Sequence, residues 1–325
     1  MTIDSSKLDV IRLRLLNDDN LADQYRALFT LKSIGQQGDN RAIDVIYEAL
    51  QKSNSALLKH ELAYVLGQIN DTYALPLLND ILQDTEQDVM VRHEAAESLG
   101  AISSLSSLDI LSKYANMPDI DISIRETCDI SIKKIQFDHR DGKTADGDNE
   151  QNKIPVIDPA PATKSTDVTA NNVEILRESY LNDQLPLFER YRAMFGLRNI
   201  VLNSNSNQSI HNAALNSIAD GFADKSVLFR HEVAYVFGQI DSPAAIPALL
   251  KVLYDDKEHE MVRHEAAETL GGLGADSADA KNALLDFAKS IDAPKVIRDS
   301  CIVALDMLAH EQSGAFEYAD GIEKA

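Results

Sequence analysis

The eight residues MVRHEAAE at positions 90–97 occur again, letter for letter, at positions 261–268. A second stretch behaves in the same way, since HELAYVLGQI at 60–69 returns as HEVAYVFGQI at 231–240. Each stretch contains the dipeptide His-Glu, which therefore recurs 33 residues apart within each half and 171 residues apart between the halves. Elsewhere the halves have diverged. The internal duplication indicates two similar halves that share one function.

Repeated units of roughly 30–40 residues extend through most of the chain. When they are aligned on the small residue after each His-Glu and on the Leu-Gly downstream, eight equivalent segments result. These segments begin at Tyr25, His60, His93, Glu126, Tyr191, His231, His264 and Asp299. Apolar residues after each segment keep helical spacing, for example Ala95, Leu99 and Ile102. A second amphipathic stretch precedes them, with Pro76 or Pro247 near its start, where a helix tolerates proline.

Paired helices at this period, without strand signals, predict an all-α fold. We expect an α-solenoid of eight HEAT-like helical hairpins, arranged in two four-repeat halves that face each other. The N-terminal half spans residues 1–136 and the C-terminal half spans 173–310. Residues 137–172 are polar and carry glycines and prolines, so we interpret them as a flexible linker. A polar tail follows at 311–325.

The composition narrows the classes of partner. The formal net charge of −21 argues against nucleic acid, because phosphate binding needs clustered Lys and Arg. It suits a cationic substrate, although acidity can also serve solubility alone. No apolar run approaches the roughly 18 residues of a membrane span, and the N-terminus lacks the pattern of a signal peptide. The two cysteines, Cys128 and Cys301, occupy equivalent places, which favours buried thiols in a reducing compartment. We expect a cytoplasmic location, with the nucleus as an additional one.

The four in-register His-Glu dipeptides are candidate metal ligands. A helical repeat does not require them, because the first and fourth segments of each half use other residues at these positions. Equivalent positions on neighbouring helices lie about 8–10 Å apart, so two histidines of one half can converge on one ion. His60 and His93 would then bind one ion, with Glu61 or Glu94 completing its shell. All eight positions are candidates, and the second half supplies His231, Glu232, His264 and Glu265.

Imidazole and carboxylate without thiolate suit iron, manganese or zinc, whereas calcium and magnesium prefer oxygen alone. Two halves face to face would bring two ions together in a two-metal centre. Arginines that precede three of the histidines (Arg92, Arg230 and Arg263) are expected to anchor repeats or neutralise carboxylates. Tyr64 and Tyr235, four residues after a histidine, either support the ligands or pack in the core.

Two other classes of function fit parts of the pattern. A two-metal hydrolase would activate water and would be colourless with zinc or manganese. A non-enzymatic HEAT scaffold would grip a partner along its concave face and would not need the histidines. Matching ligand dipeptides in all four places argue against the scaffold.

The repeats and the four His-Glu motifs together resemble the deoxyhypusine hydroxylase family over residues 5–310. The resemblance implies a non-haem di-iron monooxygenase with two iron ions, Fe²⁺ in the reduced state, and dioxygen as co-substrate. Its substrate would be the deoxyhypusine form of translation initiation factor 5A, with an external electron donor; we expect a monomer. By the family pattern the ligands and catalytic residues would be His60, His93, Glu94, His231, His264 and Glu265. Glu61 and Glu232 would bind the cationic amines of the substrate.

Overall fold

The computed structural model of the chain describes residues 3–17, 20–140, 156–163, 168–204, 207–274 and 276–313. Within these ranges the chain forms sixteen α-helices and no strand, which confirms the all-α prediction. The helices are α1 Ser5–Leu15, α2 Leu21–Gly35, α3 Asn40–Lys52, α4 Ala56–Ile69, α5 Leu75–Gln83, α6 Val89–Ile102, α7 Leu108–Ala115, α8 Ile122–Asp138, α9 Ala170–Leu181, α10 Leu187–Asn203, α11 Gln208–Ala219, α12 Val227–Ile240, α13 Ile246–Tyr254, α14 Glu260–Leu273, α15 Ala278–Lys289 and α16 Lys295–Ser313.

Short polar residues set the ends of the helices that carry the repeated motifs. Ser55 and Ser226 accept hydrogen bonds from backbone N–H groups in the first turns of α4 and α12. Asp88 does the same for α6 through the N–H of Met90, at 2.9 Å. At the other end, Asn70 and Asp241 stop α4 and α12 in the left-handed conformation, with φ of 59° and 52°. The duplicated helices therefore begin and end alike.

The even-numbered helices form the inner layer, and the odd-numbered helices cover them from outside. Neighbouring inner helices pack in chain order from α2 to α8 and again from α10 to α16. In addition, α8 packs against α10 and α16 packs against α2, where Arg26 forms an ion pair of 2.6 Å with Asp306. The inner helices thus close into a ring within one chain, a feature that the prediction of two facing halves did not include.

Glycines of the repeated Leu-Gly motif bring the inner helices unusually close. A Cβ atom on Gly67 of α4 would lie 2.8 Å from the Cα of Ser98 on α6, and one on Gly271 would lie 2.7 Å from the Cα of Ala304. At the first contact the Ser98 hydroxyl donates to the carbonyl of Ala63, at 2.8 Å. Because these contacts join residues about one repeat apart in the chain, neighbouring inner helices run parallel and nearly in register. Their N-termini therefore define one face of the ring, and their C-termini the other.

Buried arginines fasten two of the inner helices, α6 and α14, to their outer partners. Arg92 donates from Nε to the carbonyl of Leu82, and Arg263 donates in the same way to Leu253, both at 3.0 Å. Arg230 instead pairs with Glu258, at 2.7 Å. These contacts agree with the expected role of the arginines in anchoring the repeats.

The connection between the halves has a packed central part. Residues 141–155, 164–167 and 314–325, to which the linker and tail predictions refer, lie outside the described residues. Residues 156–163 are described and pack on both halves: Asp158 and Ala160 are buried, and Arg198 holds the Asp158 carboxylate at 2.8 Å. We call residues 156–163 the strap. It differs from the wholly flexible linker that the composition suggested.

Cys128 and Cys301 are buried free thiols, as the sequence indicated. Among the described helices, none combines the length and apolarity needed to cross a bilayer.

Candidate metal centre

Four inner helices bring the four in-register histidines together at the centre of the ring. His60, His93, His231 and His264 lie on α4, α6, α12 and α14 and are at most 5% exposed. The ring centroids of His60 and His93 are 5.4 Å apart, and those of His231 and His264 are also 5.4 Å apart. Contacts between the halves are just as short, with 5.2 Å from His60 to His264. One compact imidazole cluster therefore joins both halves.

The glutamates of the second motif in each half complete this cluster. The Glu94 carboxylate lies 3.3 Å from Nε2 of His60, and the Glu265 carboxylate lies 3.4 Å from Nε2 of His231. Each contact joins two residues of the same half, and the contact in the second half is the duplicate of the one in the first. Potential ligand atoms of His60, His93 and Glu94 all lie within 4.8 Å of one another. The same holds for the set of His60, His231 and His264, which spans both halves.

The imidazoles are buried without hydrogen-bond partners. None of the eight ring nitrogens of the four histidines has such a partner among the described residues. Buried polar atoms are nearly always paired, because an unsatisfied one costs about 1–3 kcal/mol. Burial also lowers the pKa of His60, and lowers those of His93 and His264 further. Neutral imidazoles with free nitrogens are the form that binds a metal ion, so the cluster fits a metal centre.

The carboxyl groups around the histidines are also buried, and burial disfavours their ionised form when no cation is nearby. Burial raises the pKa of Glu61 to about 7 and that of Glu94 to about 8. It raises the pKa of Glu232 well above its usual value, with Glu97 and Asp158 adding repulsion. A group of buried carboxylates this dense needs positive charge nearby to remain ionised. The cluster therefore suits positively charged partners, whether a metal ion or a cationic ligand.

Glu97 and Glu268 are site residues that the sequence reasoning missed. Burial raises the pKa of Glu97 to about 8, and Glu94 lies among its repelling neighbours. Its duplicate Glu268 lies 3.8 Å from Nδ1 of His264, and the hydroxyls of Tyr25 and Ser300 approach it at 3.5 and 3.4 Å. A signal existed, because both glutamates follow a motif histidine by four residues and end the identical octapeptides.

Tyr64 and Tyr235 contact each other across the two halves. Their hydroxyls form a hydrogen bond of 3.0 Å. Since each tyrosine is the duplicate of the other, this bond lies on the pseudo-twofold axis that relates the halves. The tyrosines follow His60 and His231 by one turn of α4 and α12, so their hydrogen bond lies on the C-terminal side of the metal centre.

The remaining histidines lie elsewhere. His259 caps α14 by accepting from the N–H of Met261 at 3.2 Å, and His139 contacts the carbonyl of Ser103 at 2.7 Å. His211 and His310 lie on α11 and α16. The register of the duplication therefore separates the clustered histidines from the others.

Comparison with known proteins agrees with this architecture. A family model for HEAT repeats matches residues 8–89, 43–127 and 214–306. A curated protein of Schizosaccharomyces pombe, named deoxyhypusine hydroxylase, is 44% identical over 96% of this chain and 94% of its own length. One of Candida albicans with the same name is 44% identical over 98% of each chain. A solved structure of human deoxyhypusine hydroxylase in complex with glycerol superposes with a TM-score of 0.81, at 41% identity over 94% of this chain and 96% of the other.

Proposed function

The chain belongs to the deoxyhypusine hydroxylase family, an enzyme class that hydroxylates the deoxyhypusine side chain, and from this premise we propose that its central cluster holds two iron ions. The observation that carries the proposal is the set of eight buried, unpartnered imidazole nitrogens where the two halves meet. Two histidines and one carboxylate form the ligand set that non-haem iron oxygenases use. Bound iron supplies the redox chemistry with dioxygen that hydroxylation of an unactivated carbon requires, which zinc cannot supply.

Each half provides one such ligand set in the proposal. His60, His93 and Glu94 would hold one ion, and His231, His264 and Glu265 would hold the other. The contacts of 3.3 and 3.4 Å between Glu94 and His60, and between Glu265 and His231, favour this division. The close packing of the inner helices fixes the backbone around each ligand residue. The donor atoms are therefore positioned before an ion binds.

Glu61 and Glu232 would bind the amines of deoxyhypusine. Both carboxyl groups are buried, at 8% and 2% exposure, and both have raised pKa values because of that burial. An ammonium group beside Glu61 would hold its carboxylate ionised, as the nearby Lys32 ammonium already does in part. The buried position also excludes water from the reacting side chain, which strengthens this attraction.

The substrate would be the deoxyhypusine form of translation initiation factor 5A, with dioxygen as co-substrate and an external electron donor. The net charge of −21 supports a cationic substrate. The closed ring needs no second copy to complete the site, which supports a monomer. The two free cysteines support a cytoplasmic location, with the nucleus as an additional one.

Paired glutamate variants test the division of roles. Glu61→Gln should keep about two irons per chain and weaken binding of the deoxyhypusine-bearing protein by about 2–5 kcal/mol, because the buried amine loses its charged partner. Glu94→Gln should lose iron while its helical content stays unchanged. The two measurements are iron analysis and a binding titration. Loss of iron from Glu61→Gln, with substrate binding intact, would overturn the assignment.

A further inference from the structure

The ring has an N-terminal and a C-terminal face, named after the ends of the inner helices that lie there. We call the centre of each face a mouth, and the two mouths are built differently. This inference rests on the proposed function, since it concerns how the substrate side chain reaches the metal centre. On the C-terminal side, the hydrogen bond between Tyr64 and Tyr235 spans the axis one turn below the histidines. One turn further along α4 and α12 lie Gln68 and Gln239, about 12 Å along the helix from His60 and His231.

The strap crosses the axis at these two glutamines. Gln68 of the first half donates to the carbonyl of Ile157 at 3.1 Å and accepts from its N–H at 2.9 Å. Gln239 of the second half donates to Asp158 at 3.1 Å. Duplicated residues from both halves therefore hold consecutive residues of the strap, which ties the halves together over the Tyr64–Tyr235 pair.

A buried ion pair fixes the strap in place. Arg198, which is fully buried, donates to Asp158 at 2.8 Å and to the side-chain oxygen of Gln239 at 2.6 Å. Breaking a buried pair by removing one partner is costly, because the other charge then stays buried alone. Further along, the N–H of Thr163 donates to the carbonyl of Arg192 at 2.8 Å. The strap is thus anchored at several points along its length.

On the N-terminal side of the ring, a cavity of about 470 Å³ lies among the first turns of α4, α6, α14 and α16. Its lining includes Met90 and Met261, which precede His93 and His264 by three residues, or about 4.5 Å along the helix. The two methionines that line the cavity therefore lie about one helical turn from the histidines of the metal centre.

Two equivalent serines on the N-terminal face of the ring make different contacts. At the corner beside the cavity, the Ser55 hydroxyl is 3.5 Å from Asp299, whereas its duplicate Ser226 donates to Glu126 at 2.7 Å. The cavity is also rimmed by acidic side chains, among them Asp256 and Glu260, which are exposed. Negative charge at this rim suits a side chain that carries ammonium groups.

We infer that the strap keeps the C-terminal mouth closed throughout turnover, and that the deoxyhypusine side chain enters through the N-terminal mouth between α4, α6, α14 and α16. The protein substrate accordingly docks on the face of the ring that holds the N-termini of the inner helices. The strap is a positioning element that acts by closing the centre and holding the two halves in register.

Covalent closure of the strap tests the entry route. Gln68→Cys and Ile157→Cys, joined by a short bis-alkylating reagent, lock the strap onto α4; the native Cys128 and Cys301 are buried and stay unmodified. In the iron-loaded enzyme, the affinity for a deoxyhypusine-bearing protein should match that of the same variant before cross-linking, to within about twofold. Loss of binding on cross-linking would show that the strap is the gate and overturn the inference.

Two single variants complete the test. Ala56→Trp fills the N-terminal mouth and should weaken substrate binding about tenfold or more, with the iron content unchanged. Gln68→Ala loosens the strap without leaving a buried charge unpaired and should speed the loss of iron to a chelator several-fold, with substrate affinity unchanged. Unchanged affinity in Ala56→Trp, or an unchanged rate of iron loss in Gln68→Ala, would contradict the inference. If the unaltered enzyme neither binds nor hydroxylates the deoxyhypusine-bearing protein, the proposed function fails instead.

Discussion

Removal of the metal ions should make the stability of the protein fall steeply as the pH rises. In the absence of cations, burial raises the pKa of Glu94 and Glu97 to about 8 and that of Glu61 to about 7, against an ordinary value of 4.5. The folded state then binds more protons than the unfolded state above pH 4.5, so the free energy of unfolding falls with pH until each folded pKa is passed. At 1.36 kcal/mol per group and pH unit, these three glutamates cost at most about 3 kcal/mol between pH 7 and pH 9.

The lowered pKa values of the histidines change the free energy of unfolding in the opposite direction, but they contribute little between pH 7 and pH 9. Burial lowers the pKa of His60, His93 and His264 in the folded state. The free energy of unfolding therefore increases as the pH rises through the pKa of about 6.5 that these histidines have in the unfolded chain. Above pH 7 the unfolded imidazoles are already mostly neutral, and the three together return less than about 1 kcal/mol. The net loss is about 2–3 kcal/mol, or about 5 °C in the melting temperature of a chain of this size.

Thermal melting of chelator-stripped protein at pH 7, 8 and 9 measures this loss. Iron-loaded protein is the control and should show a much smaller change, because the ions hold the carboxylates ionised in the folded state. Glu97→Gln should reduce the loss in the stripped protein by about 1 kcal/mol, whereas Glu86→Gln, at an exposed position, should not change it. A stripped protein that melts at the same temperature at pH 7 and pH 9 would refute the reasoning.

Three further substitutions test the packing and the support of the ligands. Gly67→Ala should lower the free energy of unfolding by about 1–3 kcal/mol, because its Cβ would lie 2.8 Å from the backbone of Ser98; equal stability in denaturant titration would contradict the close approach. Gly272→Ala, in the same kind of inner helix but with nothing within 4 Å of the new Cβ, should instead stabilise by about 0.5–1 kcal/mol, and a loss of stability there would be unexpected. Glu268→Gln should weaken iron binding about 10–100-fold at unchanged helical content, because its carboxylate lies 3.8 Å from Nδ1 of His264; competition with a chelator measures this, and an unchanged affinity would exclude a supporting role.

The sequence predicted the helical repeat and the clustered histidines because both follow from periodicity. Helical spacing fixes which residues face inward, and the duplication offset of 171 identifies His60 and His231 as equivalent. The structure brings all four histidines together, as the register required. The Leu-Gly motif also has a physical meaning, because Gly67 and Gly271 let neighbouring helices approach closely.

Other features depend on contacts between residues far apart in the chain, which periodicity cannot reveal. Closure of the ring by Arg26 and Asp306 joins residues 280 positions apart. The packed strap arises from a buried pair between Asp158 and Arg198, and nothing in a polar, proline-bearing stretch distinguishes an anchored carboxylate from a solvated one. Glu97 was not predicted as a site residue because an acidic residue on a helix is usually solvated, although its repetition in the identical octapeptide was visible in the sequence.

Anomalous diffraction from crystals of the iron-loaded protein, measured at the iron absorption edge, tests the central claim most directly. The account predicts two peaks at the centre of the ring, one beside His60, His93 and Glu94 and the other beside the equivalent residues of the second half. A single peak, or iron bound away from these side chains, would contradict it.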